Sequence, residues 1–176
     1  MKSLSQHIHE ALKIGSKSKV NAFNYHPKMR IELKELVEKL IEERGNDADL
    51  NDIDTSEITD MSWLFYKSQF DGDISGWDVG KVENMRSMFV SSHFNGDISG
   101  WDVSRVRNMR TMFAYSVFNG DISNWNVREV RNMSGMFTYS KFNGDISGWD
   151  VKNVTDMRVM FTCSPLEKNP PKWWHD

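Results

Sequence analysis

The chain has 176 residues, a length typical of one domain, of which 39% are hydrophobic and 27% are charged. Its 22 Lys and Arg residues against 25 Asp and Glu residues give a net charge of −3, which disfavours nucleic acid as a partner. A single cysteine, Cys163, excludes an internal disulfide, and no stretch reaches the ~18 apolar residues of a membrane-spanning helix.

The first 26 residues are predicted to form a short helix and a basic linker. Leu4, Ile8 and Leu12 have the spacing of an amphipathic helix, whereas residues 15–26 are rich in Gly, Ser, Lys and Asn. These residues lack the continuous apolar segment of a secretory signal, so we expect a cytoplasmic protein. The excess of lysine indicates either a contact with an acidic partner or a solvated, mobile arm.

A second helix, predicted over residues 27–45, is expected to cap the units that follow it. Pro27 suits the first helical position, and Gly45 suits the position just past the end. The apolar residues fall on one stripe, which comprises Met29, Leu33, Leu36, Val37, Leu40 and Ile41. Such a helix covers the apolar surface that the first unit of a repeat array leaves exposed.

Residues 46–176 follow a 24-residue period without insertion or deletion. The period is carried by Met61, Met85, Met109, Met133 and Met157, and by Phe65, Phe89, Phe113, Phe137 and Phe161. Tryptophan recurs at Trp77, Trp101, Trp125, Trp149 and Trp173. A fixed period of this length is typical of a solenoid, and we predict about five stacked coils. Four full units begin at Phe70, Phe94, Phe118 and Phe142.

Each coil is predicted to contain one short β-strand. In residues 97–103, Trp101 and Val103 alternate with Gly100 and Asp102, which is the period of a strand. Stacked coils would then form a parallel sheet, with the repeated Trp, Val, Met and Phe residues inside. The three-residue spacing of the apolar residues after the strand predicts turns on the opposite side. The predicted fold class is therefore a leucine-rich-repeat-like solenoid with short parallel strands and an N-terminal helical cap.

The Asn-Gly-Asp step that opens each full unit has two interpretations. In the first, Asn and Asp side chains accept hydrogen bonds from N–H groups at the corners, and the glycines adopt positive φ. These glycines are Gly72, Gly96, Gly120 and Gly144. In the second, oxygens two residues apart, such as those of Asn95 and Asp97, bind calcium. One carboxylate per step is a low ligand charge, so the first interpretation is favoured.

The C-terminal end is predicted to close the array. Pro170 and Pro171 stand where the other units have Ile-Ser, and they remove two N–H donors, which blocks further strand pairing. Trp173 keeps the repeated tryptophan position. Trp174 has no counterpart in the repeat, and we expect it to seal the edge.

The repeated motif resembles that of BspA-like leucine-rich repeats. The resemblance is carried by Val103, Val106, Met109, Met112, Phe113, Ser116 and Phe118. The segment 94–103 resembles the subfamily with twenty-odd-residue repeats seen in mycoplasma lipoproteins and bacterial surface proteins. The resemblance covers residues 46–173 and implies a solenoid used for protein recognition or adhesion. Surface members carry a signal peptide or an anchor that this sequence lacks, whereas signal-free members occur in phage and mobile elements, so a bacterial or virus-encoded intracellular protein is expected.

No residue pattern predicts catalysis. His7 and His9 diverge on a helix and cannot share a metal, and His93 is the only histidine inside the array. Cys163 has no evident base beside it, and the sequence has no Gly-rich phosphate loop. We therefore expect no enzymatic activity, no catalytic residue, no metal and no cofactor.

Binding specificity is expected at exposed positions that differ from coil to coil. The candidate partner-binding residues are Arg86, Arg105, Arg107, Arg110, Tyr115, Arg131 and Tyr139, because Arg and Tyr are enriched in binding hot spots. The favoured function is a non-catalytic protein-interaction module. One alternative is a structural component docked through residues 1–26, and another is a modulator of nucleic acid or of a host enzyme through an Arg/Tyr face. The sequence leaves the partner and the oligomeric state open.

Overall fold

The computed structural model describes residues 23–175, in which two helices are the only regular elements. Helix α1 spans Arg30–Arg44, and a 3₁₀-helix of three residues spans Pro165–Glu167. Within residues 23–175 no β-strand forms, and the parallel pairing consists of six isolated bridges. The short helix predicted over residues 4–14 lies outside the described residues.

Helix α1 begins three residues later than the sequence predicted. The residues before it are held on the first unit, where Asn24 N–H donates to the Asp52 carbonyl at 2.8 Å and Asp54 N–H donates to the Tyr25 carbonyl at 2.8 Å. This pairing keeps Pro27 out of the helix. The helix ends at Gly45, which has a φ of 98° and donates its N–H to a carbonyl of the last turn. Its buried residues, Leu33, Val37 and Leu40, join the main hydrophobic core.

The predicted leucine-rich-repeat-like solenoid of short parallel strands is wrong, because the segment expected as a strand folds into turns. In residues 97–103, the Asp97 carboxylate accepts the N–H of Ser99 at 2.9 Å. Likewise, the Asp102 carboxylate accepts the N–H of Ser104 at 3.0 Å. Short polar side chains that bond to nearby N–H groups compete with sheet formation. The backbone therefore turns twice in each unit where one strand was expected, and no sheet forms.

Successive 24-residue units nevertheless contact each other along one side through alternating main-chain hydrogen bonds. The donors to the next unit are the N–H groups of Met109, Thr111, Phe113 and Tyr115, at 2.8–2.9 Å from carbonyls 23 residues further on. The N–H groups of Met112, Ala114 and Ser116 instead donate three residues back within their own unit, and that of Arg110 donates to the Asn108 side chain. Because the intervening N–H groups close turns inside their own unit, this segment is a series of turns and not a strand.

Two residues of this alternating segment have left-handed backbone in every unit. In one unit they are Thr111, with a φ of 52°, and Tyr115, with a φ of 59°. The equivalent residues are Trp63, Lys67, Ser87, Ser91, Gly135, Tyr139, Val159 and Cys163. A left-handed residue other than glycine costs about 1–2 kcal/mol. The hydrogen bonds between units therefore impose a conformation that most of these side chains disfavour.

The core is built from the repeated apolar residues, and the burial predicted for them is confirmed. Met109 and Phe113 are fully buried, and only 4% of Trp101 is exposed. Phenylalanine rings of successive units stack face to face, as Phe65 does on Phe89 with ring centroids 5.4 Å apart. The tryptophans of all five units donate their indole N–H to a carbonyl of the preceding unit at 2.9–3.2 Å.

In the Asn-Gly-Asp steps, the hydrogen bonds of the Asn side chains agree with the sequence-based prediction and the backbone of the glycines does not. The Asn95 side chain accepts the N–H of Asn119 at 2.7 Å, so the predicted pairing of corner N–H groups by Asn is confirmed. The prediction of positive φ at the glycines is wrong, since among residues 23–175 only Gly45 and Gly135 are glycines with positive φ. Gly72 is instead required by close approach, because a Cβ there would collide with the main chain of Ala48.

The C-terminal end closes part of the last unit. The Trp173 indole donates to the Ile146 carbonyl at 2.9 Å, which continues the tryptophan series. The Trp174 ring meets Phe161 edge-on, with centroids 5.0 Å apart, and both tryptophans are partly buried against the core. Met157 is only partly buried, whereas its equivalent Met109 is fully buried. The two tryptophans therefore cover one side of the end and leave the other more open.

Candidate partner-binding site

The alternating segments of the five units together form an exposed surface, which we call the Tyr/Arg face. Each unit contributes two pairs of residues to this side, separated by two buried residues. Most members of the pairs reach solvent, and the buried ones are Ser62, Ser87, Ala114, Ser134 and Gly135. The pairs are 62–63, 66–67, 86–87, 90–91, 110–111, 114–115, 134–135, 138–139, 158–159 and 162–163. The large apolar side chains exposed on this face are Trp63, Tyr66, Tyr115, Tyr139 and Val159. The face is therefore both aromatic and, through its arginines, basic.

Tyr115 and Tyr139 stack on each other across two units. Their ring centroids are 4.9 Å apart, and the ring planes differ by 5°. Tyr115 is 57% exposed and Tyr139 is 51% exposed. The neighbouring Cys163 thiol raises the pKa of the Tyr139 hydroxyl above its ordinary value. The pair forms a rigid aromatic platform with a polar edge, in contact with solvent.

A second aromatic group lies at the N-terminal end of the face. The Trp63 and Tyr66 rings meet edge-on with centroids 5.1 Å apart. The Arg86 guanidinium lies 5.7 Å from the centre of the Trp63 ring, and the Lys67 ammonium lies 5.1 Å from that of Tyr66. Cations at these distances from aromatic rings are attracted by the ring quadrupole. The four side chains therefore form one connected cluster of aromatic and cationic groups.

The last three units of the face hold a depression of about 370 Å³. Arg110 and Arg158, two units apart, stand exposed at its sides, and the buried residues Ser134 and Gly135 lie between them. Gly135 has a φ of 63°, and a Cβ there would lie 3.0 Å from the Thr111 methyl group. The depression exists because the unit between those of Arg110 and Arg158 has Ser134-Gly135, where both neighbours carry arginine followed by a larger residue.

The structure places four of the seven predicted site residues on the Tyr/Arg face: Arg86, Arg110, Tyr115 and Tyr139. Arg107 lies outside it and pairs with Glu83 at 2.6 Å. Arg131 lies 4.0 Å from the Glu129 carboxylate. Arg105 makes no hydrogen bond or ion pair with residues 23–175. The pKa of Asp102 is lowered mainly by hydrogen bonds with Ser104 and less by the charge of Arg105. The ion pairs of Arg107 and Arg131 therefore account for these two side chains by contacts within the chain.

Sequence reasoning missed Trp63, Tyr66 and Val159 as members of this face. A signal was present, because the units differ at these positions: Trp63 is equivalent to Ser87, Thr111, Gly135 and Val159. The face could not be assembled from the sequence, however, because the left-handed turns that bring these residues to the surface were not predicted.

The described residues show no arrangement typical of a metal site. Within residues 23–175, no three His, Cys, Asp or Glu side chains come close enough to hold a metal ion. The oxygens considered as calcium ligands accept main-chain hydrogen bonds instead, as Asn95 does from Asn119 and Asp97 from Ser99. In the same part of the chain, no helix has the length and apolar character that crossing a membrane requires.

Comparison with known proteins places the chain in a family. The model of a family described as Mycoplasma protein of unknown function, DUF285, matches residues 32–141 and 115–175. The two matches span most of the chain, so the protein belongs to this family. No curated protein and no solved structure matches the chain significantly.

Proposed function

We propose that this protein is a non-catalytic protein-binding module and that the Tyr/Arg face is its binding surface. The observation that carries the proposal is the exposed stack of Tyr115 on Tyr139. Tyrosine offers a large, rigid contact area with a polar edge, and Tyr and Arg are the residues most enriched in binding hot spots.

The fold itself does not require tyrosine at these two positions. Their equivalents in the other units are Lys67, Ser91 and Cys163, which have the same left-handed backbone with φ of 55° in each case. A position that accepts lysine, serine and cysteine sets no demand for an aromatic ring. Selection for binding is the simplest reason for two adjacent exposed tyrosines.

The family is described as one of unknown function, so the proposal rests on the Tyr/Arg face and not on the family. The resemblance to the narrower BspA-like group is compatible with protein recognition and stays a hypothesis. The alternative in which residues 1–26 dock the chain into an assembly also stays a hypothesis, since residues 1–22 are not described.

Site-specific photo-crosslinking in the producing cell tests the proposal. A benzoylphenylalanine at position 115 is expected to capture a defined protein. The same group at position 100, which is exposed, lies outside the face and has free space around a Cβ, is expected to capture none. With the captured protein purified, Tyr115→Ala combined with Tyr139→Ala is expected to weaken its affinity at least ~30-fold, the effect of losing one hot spot. The control Asp102→Asn preserves the turn and the affinity. Unchanged affinity in the double variant would reject the face as the binding surface, and capture only through residues 1–26 would favour the docking alternative.

A further inference from the structure

One column of the Tyr/Arg face carries an arginine in three of its four last units. Reading along the units, the column comprises Arg86, Arg110, Ser134 and Arg158. At Ser134 the arginine is absent, and the following residue, Gly135, has no side chain. The depression between Arg110 and Arg158 therefore results from two adjacent departures from the repeat, and its 370 Å³ can hold one side chain of a partner.

Arg110 and Arg158 occupy equivalent positions but differ in how their charge is balanced. In the last unit, Arg158 Nε lies 3.0 Å from Asp156 Oδ1, and its Nη2 lies 3.0 Å from Asp156 Oδ2. The residue equivalent to Asp156 in the unit of Arg110 is Asn108, which carries no charge and accepts the main-chain N–H of Arg110 at 3.0 Å. Within residues 23–175, the Arg110 guanidinium has no acidic partner.

The charges around the depression favour a ligand with a single negative charge. Asp156 balances Arg158, so among the residues that line the depression Arg110 carries the one unbalanced charge. The hydroxyls nearby are already donating: Thr111 Oγ1 donates to the Arg110 carbonyl, and Ser134 Oγ to Asn132 Oδ1, both at 2.8 Å. The guanidinium of Arg110 is therefore the main free donor, and its planar fork matches a carboxylate.

Two apolar groups also line the depression. Val159 is 59% exposed and lines it, and the Thr111 methyl group lies on the opposite side of Gly135. An aliphatic stem can pack on these groups while its charged end reaches Arg110. Glutamate combines such a stem with a single carboxylate.

We propose that this depression binds a glutamate side chain of the protein partner, with the carboxylate on Arg110 and the methylene groups on Val159. That the glutamate belongs to a protein rests on the proposed function. The depression adds specificity to partner binding, because a partner must present a glutamate at a fixed distance from the groups that contact the tyrosine stack.

An NMR titration with end-blocked tetraglutamate at constant ionic strength tests this site directly. We expect saturable shifts of the Gly135 amide and of the Arg110 Nε–H resonance, and none with end-blocked tetraglutamine. Arg110→Gln should weaken the affinity about tenfold, as loss of a charge-assisted hydrogen bond does. Arg105→Gln removes another exposed arginine that forms no ion pair, lies outside the depression, and should leave the affinity unchanged.

Three results would overturn the proposal. They are equal weakening by Arg105→Gln, tighter saturation of the same resonances by inorganic phosphate, and the absence of saturable shifts. Tyr115→Ala combined with Tyr139→Ala should retain tetraglutamate binding, because the tyrosines do not line the depression. If the Tyr/Arg face binds no protein but tetraglutamate still binds at Arg110, the proposed function is rejected and the carboxylate site stands. If the wild-type protein does not bind tetraglutamate, the carboxylate site alone is rejected.

Discussion

The indole Nε1 of Trp125 donates a hydrogen bond of 3.1 Å to the main-chain carbonyl of Ile98, 27 residues earlier in the chain. Only 4% of this tryptophan is exposed, so the carbonyl has little access to water as a substitute donor. Trp125→Phe should keep most of the packing but leave that carbonyl unpaired, at a cost of about 2–3 kcal/mol. Trp125→Ala should cost about 3–5 kcal/mol. Urea unfolding measures both, and a Phe variant as stable as wild type would contradict the assigned role of the indole N–H.

Two glycines differ in the space that surrounds them, so alanine substitutions at both test the effect of close packing on stability. A Cβ at Gly72 would meet the main chain of Ala48, whereas a Cβ at Gly100 has no atom within 4 Å. Gly72→Ala should therefore destabilise the protein by about 1–3 kcal/mol, since the main chain cannot move aside easily. Gly100→Ala should be neutral or stabilise it by up to ~1 kcal/mol, through the entropy of the unfolded chain. Thermal or urea unfolding that ranks the two variants the other way would contradict this account.

Because Val159 has left-handed backbone, we expect a glycine at this position to stabilise the protein. Val159 is β-branched, has a φ of 53° and is exposed, so it carries strain without burying much surface. Val159→Gly should raise the free energy of unfolding by up to ~1 kcal/mol, because relief of about 1–2 kcal/mol of strain exceeds the entropic cost of glycine. The reverse change at the equivalent position, Gly135→Val, should destabilise the protein. Comparison of the unfolding midpoints checks both, and destabilisation by Val159→Gly would show that the strain is absent.

Acid should destabilise the protein through carboxylates that accept hydrogen bonds. The Arg158 guanidinium lowers the pKa of Asp156 to about 2, and hydrogen bonds from Ser56 lower that of Asp54 to about 2. Because the folded-state pKa lies below the unfolded value of ~3.9, this stabilisation is present above pH ~4 and is lost as the pH falls towards 2. Unfolding midpoints should thus be level near neutral pH and fall below pH ~4. Asp54→Asn should flatten that fall, and equal slopes for variant and wild type would contradict the assignment.

The repeated apolar pattern predicted which residues are buried. It did not predict the main-chain conformation of the units. The 24-residue period identified Trp101, Met109 and Phe113 as core, since only buried positions repeat an apolar residue so strictly. The alternation around Trp101 also matched a strand. Asp97 and Asp102 overrode it by capping two turns, and local side-chain hydrogen bonds of that kind do not disturb the apolar pattern from which the strand was predicted.

For the candidate site, the sequence by itself determined which residue types vary between units, and hence the choice of Tyr115, Tyr139 and Arg110. Only the tertiary structure decided which of them share a surface. Residues 24 apart become neighbours when the units stack, so Arg107 meets Glu83 and Tyr139 meets Tyr115. The left-handed backbone at Thr111 and Tyr115 then sets the position of the exposed pairs, and it arises from hydrogen bonds between units, which no single unit of sequence can specify.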